Sequence, residues 1–195
     1  MKYAMVIDLN QCVGCDTCTV ACKLDNGTGA GIKWGRVIEE ESGVFPNTKK
    51  LYIPLLCMEC AEAQCLKVCP TGATYRNDDG LVLIDYDKCM GCKYCIIACP
   101  YLARQFNEAR GHPDGVPQIG EVSSRKGVVE KCDFCADRLA SGRQPLCVES
   151  CPYDARVFGD LENPASQVAR VILDSACALK PDGRFGPSVY YVRVE

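Results

Sequence analysis

Sixteen cysteines in four groups of four carry the chemistry of this chain. The first group, Cys12, Cys15, Cys18 and Cys22, and the third, Cys89, Cys92, Cys95 and Cys99, both read C-x2-C-x2-C-x3-C. The second, Cys57, Cys60, Cys65 and Cys69, reads C-x2-C-x4-C-x3-C, and the fourth, Cys132, Cys135, Cys147 and Cys151, reads C-x2-C-x11-C-x3-C. Cys177 stands outside every group. Proline follows the last cysteine of three groups, at Pro70, Pro100 and Pro152, whereas Lys23 follows Cys22. Three chemistries use thiols at a density of 17 in 195 residues. A disulfide framework needs Cα atoms about 4.4–6.8 Å apart; triplets two residues apart invite wrong pairings, and no export signal opens the chain. Structural zinc takes two C-x2-C pairs, or cysteine mixed with histidine; here the groups run three plus one and His112 is the single histidine. The third chemistry is the [4Fe–4S] cluster, in which C-x2-C-x2-C holds three corners of a cubane and the fourth cysteine, beside proline, ligates a different cluster. Four complete groups imply four [4Fe–4S] clusters and one-electron chemistry.

Which groups exchange their fourth cysteines is read from the gaps. Nineteen residues separate Cys69 from Cys89, against 34 between Cys22 and Cys57 and 32 between Cys99 and Cys132. Groups two and three therefore make the most compact ferredoxin-like unit, and groups one and four pair around it. The expected ligand sets are Cys57, Cys60, Cys65 with Cys99; Cys89, Cys92, Cys95 with Cys69; Cys12, Cys15, Cys18 with Cys151; and Cys132, Cys135, Cys147 with Cys22. A rival pairing, one with two and three with four, stays open on these gaps. The fold class expected is α+β: two tandem ferredoxin-like units, groups two and three inside and groups one and four enclosing them. In residues this means an outer unit of 1–50 with 105–160, an inner unit of 51–104, and a C-terminal helix and tail of 161–195.

The elements that must position these groups repeat. Ile7–Cys15 matches Ile84–Cys92 at an offset of 77, and the first cysteines of groups two and four are offset by 75, so the chain reads as two copies of a half-unit pair. In each copy a short apolar strand, Ala4–Ile7 or Leu81–Ile84, enters the cysteine loop. Gly14 and Gly91 suit the tight turn where backbone approaches the cluster. A short helix is expected over Cys18–Cys22 and Cys95–Cys99. Lys33–Ile38 and Lys49–Ile53 flank Glu39-Glu40-Glu41-Ser42-Gly43 and read as a hairpin. Residues 105–127, rich in Gly and Pro, read as a surface loop that contains His112. Asn163-Pro164 opens a helix along which Val168, Val171, Ile172 and Leu179 share a face before Pro181 and Gly183 end it. Cys177 falls on that helix as a small apolar residue.

Composition narrows the functions further. A formal charge of −3 offers no basic face for nucleic acid, and no apolar run reaches the roughly 18 residues that span a bilayer. Gly27-Thr28-Gly29-Ala30-Gly31 lacks the Lys-Ser/Thr of a phosphate loop and reads as a turn. No cysteine pair is followed by histidine, which excludes covalent haem. Four clusters at roughly −2 each add about −8 to the formal charge, and this buried negative charge needs cations and backbone N–H groups around it. Lys93, Arg104, Lys131, Arg138 and Arg156 lie beside the groups; they either raise cluster potentials by meeting this need, dock a partner, or are solvated surface charges.

The four-group pattern, with Cys132-Asp133-Phe134-Cys135 and then Cys147-Val148-Glu149-Ser150-Cys151-Pro152, resembles the iron–sulfur (beta) electron-transfer subunits of the dimethyl sulfoxide reductase family of molybdopterin oxidoreductases. The short members, of the polysulfide, thiosulfate and dimethyl sulfoxide reductase type, are the most alike, and the resemblance covers about residues 3–160. It implies the pairing of groups one with four and two with three. Some relatives replace a third-group cysteine and hold a three-iron cluster; here Cys89, Cys92, Cys95 and Cys99 are all present. The resemblance further implies a non-catalytic chain that relays electrons between quinol or another donor and a catalytic alpha subunit carrying a bis-pterin molybdenum or tungsten centre, often with a membrane subunit. It also implies a chain without its own signal, either cytoplasmic or co-exported with a twin-arginine-tagged partner. Alternatives are the same subunit of a formate dehydrogenase or hydrogenase, and a free soluble polyferredoxin.

Overall fold

The computed structural model describes residues 2–108, 126–174, 176–178 and 184–192. Its elements in chain order are β1 (Tyr3–Asp8), α1 (Thr17–Asp25), β2 (Arg36–Val44), β3 (Asn47–Leu55), α2 (Gln64–Lys67), β4 (Thr74–Arg76), β5 (Val82–Ile84), α3 (Tyr94–Ile97), β6 (Gln105–Phe106), β7 (Val129–Glu130), α4 (Ala136–Ala140), α5 (Leu146–Glu149), β8 (Arg156–Asp160), α6 (Gln167–Asp174), β9 (Ala176–Ala178) and β10 (Val189–Val192). The fold is mixed α and β, and its pieces are short because the cysteine loops interrupt them. One sheet has four strands in the order β8-β1-β10-β9. β1 runs antiparallel to β8 (Met5↔Phe158, Ile7↔Arg156) and parallel to β10 (Met5↔Val189, Ile7↔Tyr191). Both of its faces are covered. Met5 and Ile7 enter the main core with Trp34, Met58, Phe134, Phe158 and Tyr191, while Ala4 and Val6 pack on Val168 of α6. This is why Ala4–Ile7 is a continuous apolar run instead of an alternating one.

Among the described residues three two-stranded ribbons accompany this sheet: β2 with β3, β4 with β5, and β6 with β7. Each cysteine group is met by these elements. β1 leads into group one and pairs with β8, which leaves group four; β4 leaves group two and pairs with β5, which leads into group three. The ribbon of β6 and β7 then joins the chain leaving group three to the chain entering group four.

The structure corrects several local expectations. The acidic stretch Glu39–Gly43 is part of β2, not the hairpin turn, which lies at Val44-Phe45-Pro46-Asn47. Its charges are matched across the ribbon, where Glu41 faces Lys50 and the Lys50 ammonium bonds the Glu39 carboxylate. The C-terminal helix starts later than Asn163-Pro164 because Ser166 is its cap: the Ala169 N–H donates to Ser166 Oγ at 3.1 Å. It also ends earlier, at Asp174. Cys177 is therefore not helical; it lies on β9, opposite Tyr191 of β10, because pairing with the Val-Tyr-Tyr-Val strand prevails over the helical spacing. Leu179, Pro181 and Gly183 lie outside the described residues, as do His112 and most of the 105–127 loop.

Candidate metal centres

The cysteines meet in four sets. Cys57, Cys60, Cys65 and Cys99 line a cavity of about 400 Å3, its mouth included. Cys12, Cys15, Cys18 and Cys151 line one of about 350 Å3, and Cys69, Cys89, Cys92 and Cys95 one of about 330 Å3. Cys22, Cys132, Cys135 and Cys147 crowd one another at the edge of the main core, where Cys22 and Cys132 are buried within electrostatic reach of the other two. In every set three cysteines come from one group and the fourth from another. A zinc ion would take four thiolates converging at about 2.3 Å; here the four thiols of each of these three sets line the wall of a cavity. Among the described residues no three His, Cys, Asp or Glu side chains converge on a single ion.

The backbone around the sets repeats more closely than the residues do. The position before the second cysteine of every group is left-handed: Gly14 (φ 71°), Glu59 (43°), Gly91 (71°) and Phe134 (57°). Asp16, Lys93 and Cys135, at the starts of α1, α3 and α4, are left-handed too. Such turns gather successive N–H groups into concave nests that receive anionic groups. For residues with a Cβ the conformation costs roughly 1–3 kcal/mol and persists only where the surroundings impose it. Glu59 is held by its carboxylate, which accepts the Val82 N–H at 2.7 Å. Phe134 is clamped edge-on against Phe158 at 5.3 Å. At Gly91 a Cβ would lie 2.3 Å from the Gly127 carbonyl oxygen, and at Gly14 it would meet the Tyr52 ring at 2.3 Å.

Electrostatics separates the sets. Burial pushes the Cys60 and Cys135 thiols up to about 12, and pushes Cys22, Cys57 and Cys132 well above the ordinary thiol range. Cys15 moves the other way, lowered by hydrogen bonding with Thr17. Cys69 is lowered as well, because bonds from Thr74 and Thr71 outweigh its burial. Buried neutral thiols packed together are a poor arrangement by themselves, whereas metal binding expels their protons and uses all four sulfurs. Of the five cations noted beside the groups, four are buried: Arg104, Lys131, Arg138 and Arg156. Lys131 pairs with Glu59 at 2.5 Å, and Arg138 with Asp25 and Glu149. Lys93 lies over the Phe106 ring, 4.0 Å from its centroid. Arg104 Nε and Nη2 are buried without a hydrogen-bond partner, and the residue lines two of the cysteine cavities. Donors left over beside thiol-walled space fit a sulfide-bearing anionic cluster.

Residues 48–161 match the 4Fe-4S dicluster domain family, and residues 9–29 the 4Fe-4S binding domain. The chain is 41% identical over 226 residues to the arsenate respiratory reductase iron–sulfur subunit of Shewanella sp. (strain ANA-3), covering 99% of this chain and 97% of that one. It is 43% identical over 210 residues to a subunit of the selenate reductase of Mesobacillus selenatarsenatis, covering 98% and 72%. To one chain of the anaerobic dimethyl sulfoxide reductase of Escherichia coli K12 it is 38% identical over 169 residues, covering 83% and 75%. Among the described residues no helix is long and apolar enough to cross a membrane. Ferredoxin-type 4Fe–4S domains are thus present in a mixed α/β chain whose cysteines already gather in fours. The likeness runs through nearly the whole length, and the protein belongs to the iron–sulfur electron-transfer subunits of the dimethyl sulfoxide reductase family.

Proposed function

We propose that this subunit relays single electrons through four [4Fe–4S] clusters between quinol or another donor and a molybdenum or tungsten bis-pterin catalytic subunit. One observation carries the reading: each cysteine-walled cavity draws three thiols from one group and its fourth from another. The clusters supply one-electron acceptance and release; the chain supplies ligands, insulation and fixed charge. The ligand sets are Cys12, Cys15, Cys18, Cys151; Cys22, Cys132, Cys135, Cys147; Cys57, Cys60, Cys65, Cys99; and Cys69, Cys89, Cys92, Cys95. Groups one and four form the outer ferredoxin-like unit and groups two and three the inner one, with α6, β9 and β10 bracing the outer sheet. The sets follow one another in the order just given. Arg156 touches Cys18 and Cys147. Lys131 bonds the Cys132 carbonyl and lies within electrostatic reach of Cys57, and Arg104 lines the last two cavities. Among the described side chains the exposed cysteines, Cys15 and Cys92, belong to the first and last sets, which suits contact with a donor at one end and an acceptor at the other.

The test is a count of iron and acid-labile sulfide, about sixteen of each per chain for four cubanes, followed by paired substitutions. Cys57→Ser with Cys99→Ser alters a single cluster under this pairing, and Cys99→Ser with Cys132→Ser alters two. The rival pairing of group three with group four reverses the two results and would overturn the ligand sets.

A further inference from the structure

Groups three and four end in runs that match at five of six positions, Cys99-Pro100-Tyr101-Leu102-Ala103-Arg104 and Cys151-Pro152-Tyr153-Asp154-Ala155-Arg156. The backbone repeats with it. Leu102 and Asp154 are left-handed (φ 51° and 49°), Ala103 and Ala155 are buried, and the arginines that close the runs are 4% and 7% exposed. A guanidinium taken out of water needs an opposite charge nearby. Among the described residues neither arginine has a carboxylate in salt-bridge range, unlike Lys131 with Glu59 or Arg138 with Asp25 and Glu149.

What surrounds them is sulfur. Arg156 Nη2 lies 3.3 Å from Cys18 Sγ, while Nη1 lies 3.8 Å from Cys147 Sγ and 3.7 Å from Met5 Sδ. Cys18 and Cys147 belong to the two different sets of the outer unit. Arg104 lines both cavities of the inner unit, donates through Nη1 to Thr74 Oγ1 at 3.1 Å, and keeps Nε and Nη2 without a partner. Thr74 closes the matching run after group two, Cys69-Pro70-Thr71-Gly72-Ala73-Thr74.

Resting on the ligand sets above, we propose that Arg104 and Arg156 are equivalent internal bridges, each raising the redox potentials of the two clusters between which it lies, so that the four clusters are tuned in pairs. One-electron reduction adds one negative charge to a cluster, and an arginine remains protonated in both states. No proton has to move with the electron at this residue. A buried cation without a carboxylate acts undiminished on both neighbours, because the low local dielectric strengthens its field.

The experiment is a redox titration of the full chain, loaded with clusters and followed by electron paramagnetic resonance, with iron counted in each sample. Arg104→Gln is expected to lower two of the four potentials, and Arg156→Gln the other two. At a fixed solution potential each affected cluster should show at least a tenfold lower reduced-to-oxidised ratio, which is about 59 mV for one electron. Arg104→Lys and Arg156→Lys, which keep the charge, should restore most of the shift. With full iron, shifts in none, one or all four potentials, or in the same two for both arginines, would overturn the proposal. Should the Gln variants lose iron, loaded Lys variants with near-native potentials support it, and Lys variants that lose iron as well overturn it in favour of a purely structural role. A native chain without its full iron complement would instead refute the ligand sets themselves.

Discussion

Lys131 and Glu59 form a pair whose removal tests the packing between the second and fourth cysteine groups. Their side chains are 1% and 2% exposed and meet at 2.5 Å. The Lys131 ammonium also donates to the Cys132 carbonyl at 2.7 Å, the Glu59 carboxylate accepts the Val82 N–H, and Ser188 Oγ donates to the Glu59 carbonyl at 3.0 Å. One ion pair thus ties group two, group four, β5 and the approach to β10. At this separation and an effective dielectric constant of about 20 the bare attraction is about 6–7 kcal/mol. Much of that is offset by desolvation, but removing one partner strands the other charge, and such losses run to about 3–5 kcal/mol. In a chain of 195 residues each kcal/mol moves the thermal midpoint by about 2–4 °C. Lys131→Met should therefore lower the midpoint by roughly 6–20 °C, and Glu59→Gln by an amount near the lower bound. The double variant should recover at least about 2 kcal/mol relative to the sum of the singles. Circular dichroism and visible absorbance of the loaded chain, kept free of oxygen, report both protein and clusters. Additive losses in the double variant, or a single variant within about 1 kcal/mol of native, would refute the reasoning.

Other consequences are sharp enough to check. Gly91→Ala should cost far more iron than Gly14→Ala: both carry the left-handed penalty of about 1–2 kcal/mol, but the new Cβ strikes a backbone oxygen at Gly91 and a side-chain ring at Gly14. Equal losses by iron analysis would contradict this. The raised Cys60 and Cys135 thiols are protonated at neutral pH, so each must release a proton when metal binds. Metal affinity of the empty chain should then climb about tenfold per pH unit for every proton released, and keep climbing past the ordinary thiol range toward pH 12; affinities that level off near pH 9 would argue against buried, raised thiols. Trp34 Nε1 donates to Glu130 Oε2 at 2.9 Å in the core. Trp34→Phe should cost about 1.5–3 kcal/mol, the range for hydrogen bonds to charged groups, and a midpoint unchanged in a thermal melt would show that the bond contributes nothing.

The parts of the molecule readable in advance are the local ones. Cysteine spacing announces the four groups, the apolar run at Ala4–Ile7 announces β1, and Gly14 and Gly91 announce two of the four left-handed turns. The other two are not legible, because Glu59 and Phe134 are residue types that avoid that conformation; a bond to Val82 and a ring contact with Phe158 impose it. Burial of the charges was equally hidden. Lys131 finds its carboxylate 72 positions away, and nothing near it in sequence distinguishes it from a surface lysine. The acidic segment of β2 looks like a turn until Lys49 and Lys50 are placed across from it. For Arg104 and Arg156 a signal did exist, the repeated Cys-Pro-Tyr-x-Ala-Arg run, although only the fold shows that it ends between two cysteine sets.

The topology of the large sheet bears on how the protein is made. β1 leaves the ribosome well before its hydrogen-bonding partners, β8 and β10. Groups two and three, by contrast, are joined through the β4–β5 hairpin and can meet as soon as that stretch is synthesised. Domains form as units during synthesis, and contacts distant in sequence close late. On the proposed ligand sets, assembly has a built-in order, in which the cysteines of groups two and three become available for loading while those of groups one and four wait. Cys12, Cys15 and Cys18 would spend that interval with Cys151, their fourth ligand under that proposal, not yet in place. Oxygen or a competing metal encountered during synthesis would do its damage there first.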